Sequence, residues 1–400
     1  MSVILDGKGK GDKVAELNDL SGPFNPNLRY SDFSKEFLVK LIGVWQWAWL
    51  QMDSAWFDVV KKRYGHQVAW ECDLEMWFRV AERCNPRYAK LANIPLKNVV
   101  DSLKLLQLPL DNTMGGIFPV EYDIKNENHA IVTVRKCPSL EWCEKEDADR
   151  IVPMCQVNEP QIIKKYIVNP NIKVKALKLP PRKSQDEIAC QWEYKITVPA
   201  GTKVRSKAEV VNETGDIPEL NDYSGPFYPR LTHKNFSKDF LLKLMVAYQY
   251  AWIIMSGGYY DAVKTRYGME VANECELASW MRVGERVNPR YAKIANIKLE
   301  TVLDSLKAEQ LPLDNTVGLY PAEYDIKSPN HVVMTVMKCR TLDYFEKAEP
   351  ERIIPMCHHL EKPVIEKYMI NPKIKVTPLV LPPRKNPEDI ACKWEFKLEK

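Results

Sequence analysis

Asn85-Pro86-Arg87-Tyr88-Ala89-Lys90 recurs as Asn288-Pro289-Arg290-Tyr291-Ala292-Lys293, and this repetition decides how the whole chain is read. Working outward, Leu17-Asn18-Asp19 and Ser21-Gly22-Pro23-Phe24 return as Leu220-Asn221-Asp222 and Ser224-Gly225-Pro226-Phe227. Leu179-Pro180-Pro181-Arg182-Lys183 returns as Leu381-Pro382-Pro383-Arg384-Lys385. The offset is 203 residues up to Thr113/Thr316 and 202 beyond. A period this long marks a duplicated domain, since solenoid repeats run about 20–50 residues. The 400 residues therefore divide into a first copy, 14–198, a linker, 199–216, and a second copy, 217–400. Each copy is long enough to bury a core of its own.

Within one copy the first half reads helical. Leu38, Leu41, Ile42, Trp45, Trp49 and Met52 recur at spacings of three and four after a capping Asp32 or Ser34. A second helix is expected over 56–64, punctuated by Gly65, and a third over 67–84, ended by Asn85-Pro86. Shorter helices follow over 87–92 and 96–107. The second half reads as strands over 118–124, 129–134, 172–179 and 188–196, with helices over 139–145 and 159–166 between the two strand pairs. The expected class is α+β: a helical layer followed by a small antiparallel sheet with inserted helices, β-β-α-α-β-β, in each of two homologous domains.

Composition bounds the function. Hydrophobic residues make up 45% and charged residues 28%, the balance of a globular chain. The net charge of +4 is spread out, with no basic arm for nucleic acid. The most apolar stretch, 37–52, is interrupted by Lys40, Gln46 and Gln51, which argues against a membrane span. No secretory signal is visible, so a cytoplasmic setting with ten reduced cysteines is expected. Gly-rich phosphate loops, His-Glu-x-x-His and Gly-x-Ser-x-Gly are absent from the sequence.

The chemistry-bearing residues fall into three groups. Cys72, Arg79 and Arg83 lie within about 20° of one line on a helix, and Cys275, Arg282 and Arg286 repeat the line. A guanidinium beside a thiol favours the thiolate or anchors a substrate carboxylate. Glu71 and Glu274 stand beside these as acid/base candidates, Trp77 and Trp280 as walls, and Asp53 and His66 as pocket residues of the first copy. The bland alternative is a salt-bridged helix seam. Cys137, Cys155 and Cys190, with Cys339, Cys357 and Cys392, form a second group that reads as buried thiols or as ligands for zinc or iron. Cys357-His358-His359, present in the second copy alone, is the third.

Lys136-Cys137-Pro138-Ser139-Leu140, Cys155, Asn169-Pro170, Leu179-Pro180-Pro181-Arg182-Lys183 and Ala189-Cys190-Gln191-Trp192-Glu193 together resemble a largely uncharacterised bacterial domain family. More distantly, the cysteine before the last strand and the Cys-x-aromatic inside it resemble L-2-amino-thiazoline-4-carboxylate hydrolase-like proteins and 4-vinyl reductase domains. That resemblance implies a small-molecule pocket of hydrolytic type. The expectation is a small-molecule-binding, hydrolase-like protein acting on a small carboxylate-bearing compound. Its rivals are a metal- or cofactor-holding sensor or carrier and a scaffold. The halves are expected to pack as an intramolecular pseudo-dimer, because duplication fixes a symmetric pair into one chain.

Overall fold

The computed structural model describes residues 16–111, 114, 118–213, 216–315, 317 and 319–399. Its dominant element is α1, Lys35–Leu91, started by the Ser34 hydroxyl, which accepts from the Phe37 amide at 3.2 Å. Nothing between Met52 and Trp56 breaks it, because the buried stripe of Trp45, Trp49, Met52, Trp56 and Val60 continues without a change of phase. The break lies at Gly65, with φ 84° and ψ 173°. That backbone suits glycine, which carries no Cβ to clash. Pro86, expected to end the helix, sits inside it. The missing amide costs one intrahelical bond, and burial of Asn85, Tyr88 and Ala89 holds the last turn in place. The three helices read from the sequence are therefore one element with a single kink. The second copy repeats it as α6, Lys238–Ile294, kinked at Gly268.

Beyond α1 come α2 (Val99–Gln107), β1 (Val120–Asn126), β2 (His129–Val134), α3 (Pro138–Glu146), α4 (Glu159–Tyr166), β3 (Lys173–Lys178) and β4 (Cys190–Lys195). A π-helical turn, Pro153–Asn158, leads into α4. The sheet is antiparallel in the order β1-β2-β4-β3, with Val132 facing Tyr122 on one side and Trp192 on the other. After α5 (Lys207–Val210) and α6, the second copy repeats the series: α7 (Val302–Glu309), β5 (Ala322–Ser328), β6 (His331–Val336), α8 (Arg340–Ala348), α9 (Glu361–Tyr368), β7 (Ile374–Val380) and β8 (Cys392–Leu398). Its sheet order is β5-β6-β8-β7. The α+β class and the β-β-α-α-β-β order hold in both copies.

The cores are divided differently from the sequence. Each sheet has its own, around Trp192 and Tyr194 in the first copy and Trp394 and Phe396 in the second. The long helices of both copies share one, running from Trp45, Trp49 and Trp56 to Tyr248, Trp252 and Tyr259. An 18-residue stretch of α6 is apolar enough to cross a membrane by composition, and most of it is buried inside the molecule.

Contacts between the copies come in exchanged pairs. Trp45 Nε1 donates to the Leu311 carbonyl at 2.8 Å, and Tyr248, the counterpart of Trp45, donates to the Leu108 carbonyl at 2.8 Å. Arg87 lies over the Tyr250 ring and Arg290 over the Trp47 ring. Trp56 and its own counterpart Tyr259 stack at 5.6 Å, and Tyr64 stacks on Tyr267 at 3.8 Å. Self-pairing of equivalent residues marks a local pseudo-twofold axis. The arms before the long helices are exchanged as well. The Leu20 amide donates to Ala295 O at 2.9 Å and the Tyr223 amide to Ala92 O at 2.8 Å. The segment read as a linker carries α5, and Val210 and Val211 are buried with Phe227 in the first sheet's core.

Candidate functional site

The axis explains where the expected Cys–Arg line goes. Arg79 leans across the seam to Asp261, and Arg282 to Asp58 at 2.7 Å. Glu71 meets Arg266 at 3.5 Å, and Glu274 meets Arg63 at 2.5 Å. Glu75 also pairs with Arg266, at 2.6 Å. All these ion pairs join the two copies. Cys72 and Cys275 lie beneath them with no accessible surface. Burial pushes the Cys72 thiol up to about 12 and raises Cys275 too, although Arg266 and Arg63 pull the other way. This is the reverse of an activated thiolate. The nucleophile and carboxylate-anchor assignments therefore give way to a salt-bridged seam. Arg83 and Arg286 are exposed, and Arg286 donates to Gln51 at 3.1 Å. His66 is half-buried beside Asp147, at 3.5 Å.

The repeated cysteines have local structural partners. Cys137 and Cys339 are N-caps, their sulfurs accepting the Leu140 and Leu342 amides at 3.4 and 3.3 Å. Cys190 and Cys392 accept the indole N–H groups of Trp192 and Trp394 at 3.2 and 3.1 Å. Burial raises all six thiols of this set, Cys155 and Cys357 included. Among the described residues, no three His, Cys, Asp or Glu converge to hold a metal ion. In the Cys357-His358-His359 run, His358 Nε2 lies 2.5 Å from Pro382 O, as Gln156 Nε2 does from Pro180 O at 2.6 Å. The histidine therefore takes over a loop contact of the glutamine.

What the fold does bring together is Asp53. It lies on α1 ahead of the kink, faces Asp73 behind it, and meets Tyr259 from the second copy. The Tyr259 hydroxyl is 2.7 Å from Asp53 Oδ1 and 2.6 Å from Asp73 Oδ1. A phenol has one proton to donate. For both contacts to be hydrogen bonds, one carboxyl must carry a proton. Asp73 Oδ1 also accepts the Trp77 indole N–H at 3.0 Å, which makes Asp73 the acceptor of the pair and leaves Asp53 as the proton carrier. Burial, then the neighbouring Asp73 charge, holds the Asp53 carboxyl well above the ordinary carboxylate range. Burial raises Asp73 too, opposed by Tyr259, by the Arg150 charge and by hydrogen bonds from Asp53 and Asn158. Arg150 reaches the pair stacked on Phe57 at 3.8 Å.

Asp53 also feels a second group of carboxyls. Asp111 accepts from the Tyr166 hydroxyl at 2.9 Å, and burial lifts it to about 6. Glu159, at the start of α4, is lifted by burial to about 7, with Asp111 adding to the rise. Of this site, Asp53 and Trp77 were legible in the sequence. Asp73, Asp111, Glu159 and Tyr259 were missed. The available signal was an acid repeated at 73/276, 111/314 and 159/361.

The same slot in the second copy is built otherwise. Ser256 stands for Asp53, Trp56 for Tyr259, and Glu276 for Asp73. Arg352 pairs directly with Glu276 at 3.1 Å, both side chains buried. Ser256 Oγ and Trp56 Nε1 have no hydrogen-bond partner among the described residues. A separate cleft of about 600 Å³, lined by Lys104, Arg205 and Pro226 among others, contains none of the expected site residues.

Neither a curated protein nor a solved structure shows significant similarity to the chain. One family model matches twice, over residues 31–196 and again over 234–398. The two matches cover both copies from the arm before each long helix to the last strand, and the chain belongs to the Family of unknown function (DUF6125) as a tandem duplication.

Proposed function

We propose that the chain is a small-molecule-binding protein and a hydrolase-like enzyme whose reacting groups are Asp53 and Asp73. The observation that carries this reading is the single Tyr259 hydroxyl within hydrogen-bond distance of two carboxyls, which requires at least one of the two to carry a proton. Such a pair holds a general acid and a general base in one place at neutral pH. Asp53 keeps accessible surface while Asp73 is buried, so Asp53 is the group that meets a substrate. In this role Asp53 delivers its proton to the leaving group. Once ionised, Asp53 takes the proton of the attacking water and so returns to its starting form, while Asp73, bound through the buried Tyr259, stays beside it as the acceptor of the pair. Trp77 and Arg150 hold Asp73 ionised and in place.

The test is turnover of a panel of small amides, esters, lactams and cyclic imines, followed by mass spectrometry. Activity that falls at least 100-fold in Asp53→Asn and persists in Cys72→Ala and Cys275→Ala supports the assignment. Activity that survives Asp53→Asn and vanishes in Cys72→Ala returns the chemistry to the thiol. A panel in which no compound is turned over or stabilises the protein against heat removes the reading altogether.

A further inference from the structure

The second group of carboxyls has no counter-charge among the described residues. Glu159 makes no hydrogen bond or ion pair with any described residue, yet it lies deep between α4, α1 and the sheet and keeps accessible surface. Its carboxyl is half-buried and open on one side. Beside it, Asp111 uses one oxygen for Tyr166 and leaves Oδ1 buried without a partner. Asn85 has no accessible surface; its amide donates to Tyr166 O at 3.0 Å, and its Oδ1 is likewise unpartnered. Trp49, 1% exposed, has an unpartnered indole N–H. Buried polar atoms are satisfied in all but a few cases, so several unpartnered ones gathered about Tyr166 point to a guest.

The wall is aromatic. Trp49 packs against Trp77 at 6.2 Å, and Trp77 against Tyr166 at 6.2 Å. The second copy repeats the arrangement: Trp252 packs on Trp280 at 5.8 Å, Tyr368 donates to Asp314 at 3.3 Å, and Glu361 takes the place of Glu159. It adds Glu309, where the first copy has Leu106, and leaves the Glu309 Oε1 buried and unpartnered. The carboxyls feel one another, yet no three converge at metal-binding distance among the described residues. Acids spread over aromatic faces suit a cation larger than a metal ion.

We propose that each copy binds a substituted ammonium ion, held by Asp111 and Glu159 against Trp49, Trp77 and Tyr166 in the first copy and by Asp314, Glu361 and Glu309 in the second. The proposal rests on the small-molecule reading above and names the ligand's charge. Its first-copy site adjoins Asp53, so an amine-bearing substrate would lie beside the reacting pair.

Three probes of one shape test it by calorimetry: choline, the neutral 3,3-dimethyl-1-butanol and the anionic 3,3-dimethylbutanoate. The expected result is two cholines per chain, at least 10-fold weaker binding of the neutral analogue and none of the anion. Glu159→Gln with Glu361→Gln should weaken choline at least 10-fold. Circular dichroism and thermal unfolding of this variant should show an intact fold, because neither carboxyl holds a protein partner. Binding of the neutral or anionic analogue as tightly as choline overturns the charge assignment and leaves a small-molecule site standing. Failure of all three probes, when the hydrolysis panel yields a substrate, also overturns the charge assignment alone. Failure of probes and panel together removes both readings.

Discussion

Asp53–Tyr259–Asp73 in the first copy and Ser256–Trp56–Glu276 in the second occupy the same slot on opposite sides of the pseudo-twofold axis. In the second copy a direct Arg352–Glu276 pair neutralises the buried acid. In the first copy two acids face each other, and the arginine stands off on an aromatic ring. A buried acid with its own cation is a structural solution. A buried acid pair that shares a proton keeps a transferable proton in the core. The difference teaches that one backbone site, duplicated, has been settled once as an ion pair and once as a proton-sharing pair. It also puts the proposed acid–base pair on one side of the molecule. The two proposed ammonium sites, in contrast, share acids at 111/314 and 159/361, and the second adds Glu309.

The largest contrast should come from the arginines. Arg352→Met strands Glu276 inside the protein and should cost about 3 kcal/mol in denaturant unfolding at pH 8. Arg150→Met removes stacking and a more distant charge and should cost about 1 kcal/mol. Equal losses would mean that the two slots are electrostatically the same.

The proton-sharing pair should declare itself in the pH dependence. A carboxyl raised by folding binds more protons folded than unfolded. Its stabilising contribution is therefore complete below the unfolded value near 4 and is lost as pH rises toward the raised folded value. Asp53→Asn should leave stability at pH 5 nearly unchanged and raise it at pH 9 by about 2 kcal/mol relative to the parent. Ser256→Ala should be flat across the same range. A parent curve that Asp53→Asn does not alter would dissolve the shared proton.

Tyr259→Phe removes the hydroxyl between two buried acids and should cost about 1–2 kcal/mol. Trp56→Phe discards an indole N–H that has no partner, so it should cost only the lost ring area, under about 1.5 kcal/mol. The smallest effect belongs to the seam. Arg79→Ala and Arg282→Ala break half-exposed pairs and should each cost about 0.2–1 kcal/mol, equally in the two copies. Unequal losses there would show that the seam, too, has diverged.

The strands and inserted helices were legible in the sequence, because alternation and short apolar runs between turn residues are local signals. The long helices were legible in content and misread in their breaks. Pro86 is the stronger breaker by composition, yet tertiary packing of Tyr88 and Ala89 overrides it, while Gly65 takes the left-handed turn. The catalytic reading failed for a related reason. Cys72 and Arg79 share a helix line, but Arg79 leans away from that line to an acid 182 residues distant. Asp53 was found because the copies differ there. Its partner Tyr259 is 206 residues away, and no spacing rule within one helix connects them.

The exchanged arms and shared helical core also set a timetable for the nascent chain. The apolar face of α1 is complete when Leu91 leaves the ribosome, but its mate on α6 trails by 203 residues. At translation speeds of about 5–20 residues per second, the first half waits on the order of 10–40 s with Trp45, Trp49 and Trp56 uncovered. Two identical single-copy chains could close the gap with whichever neighbour emerged first. Joining them in one polypeptide exchanges a search in solution for a fixed delay, and makes holding the first half soluble in that interval a chaperone's task.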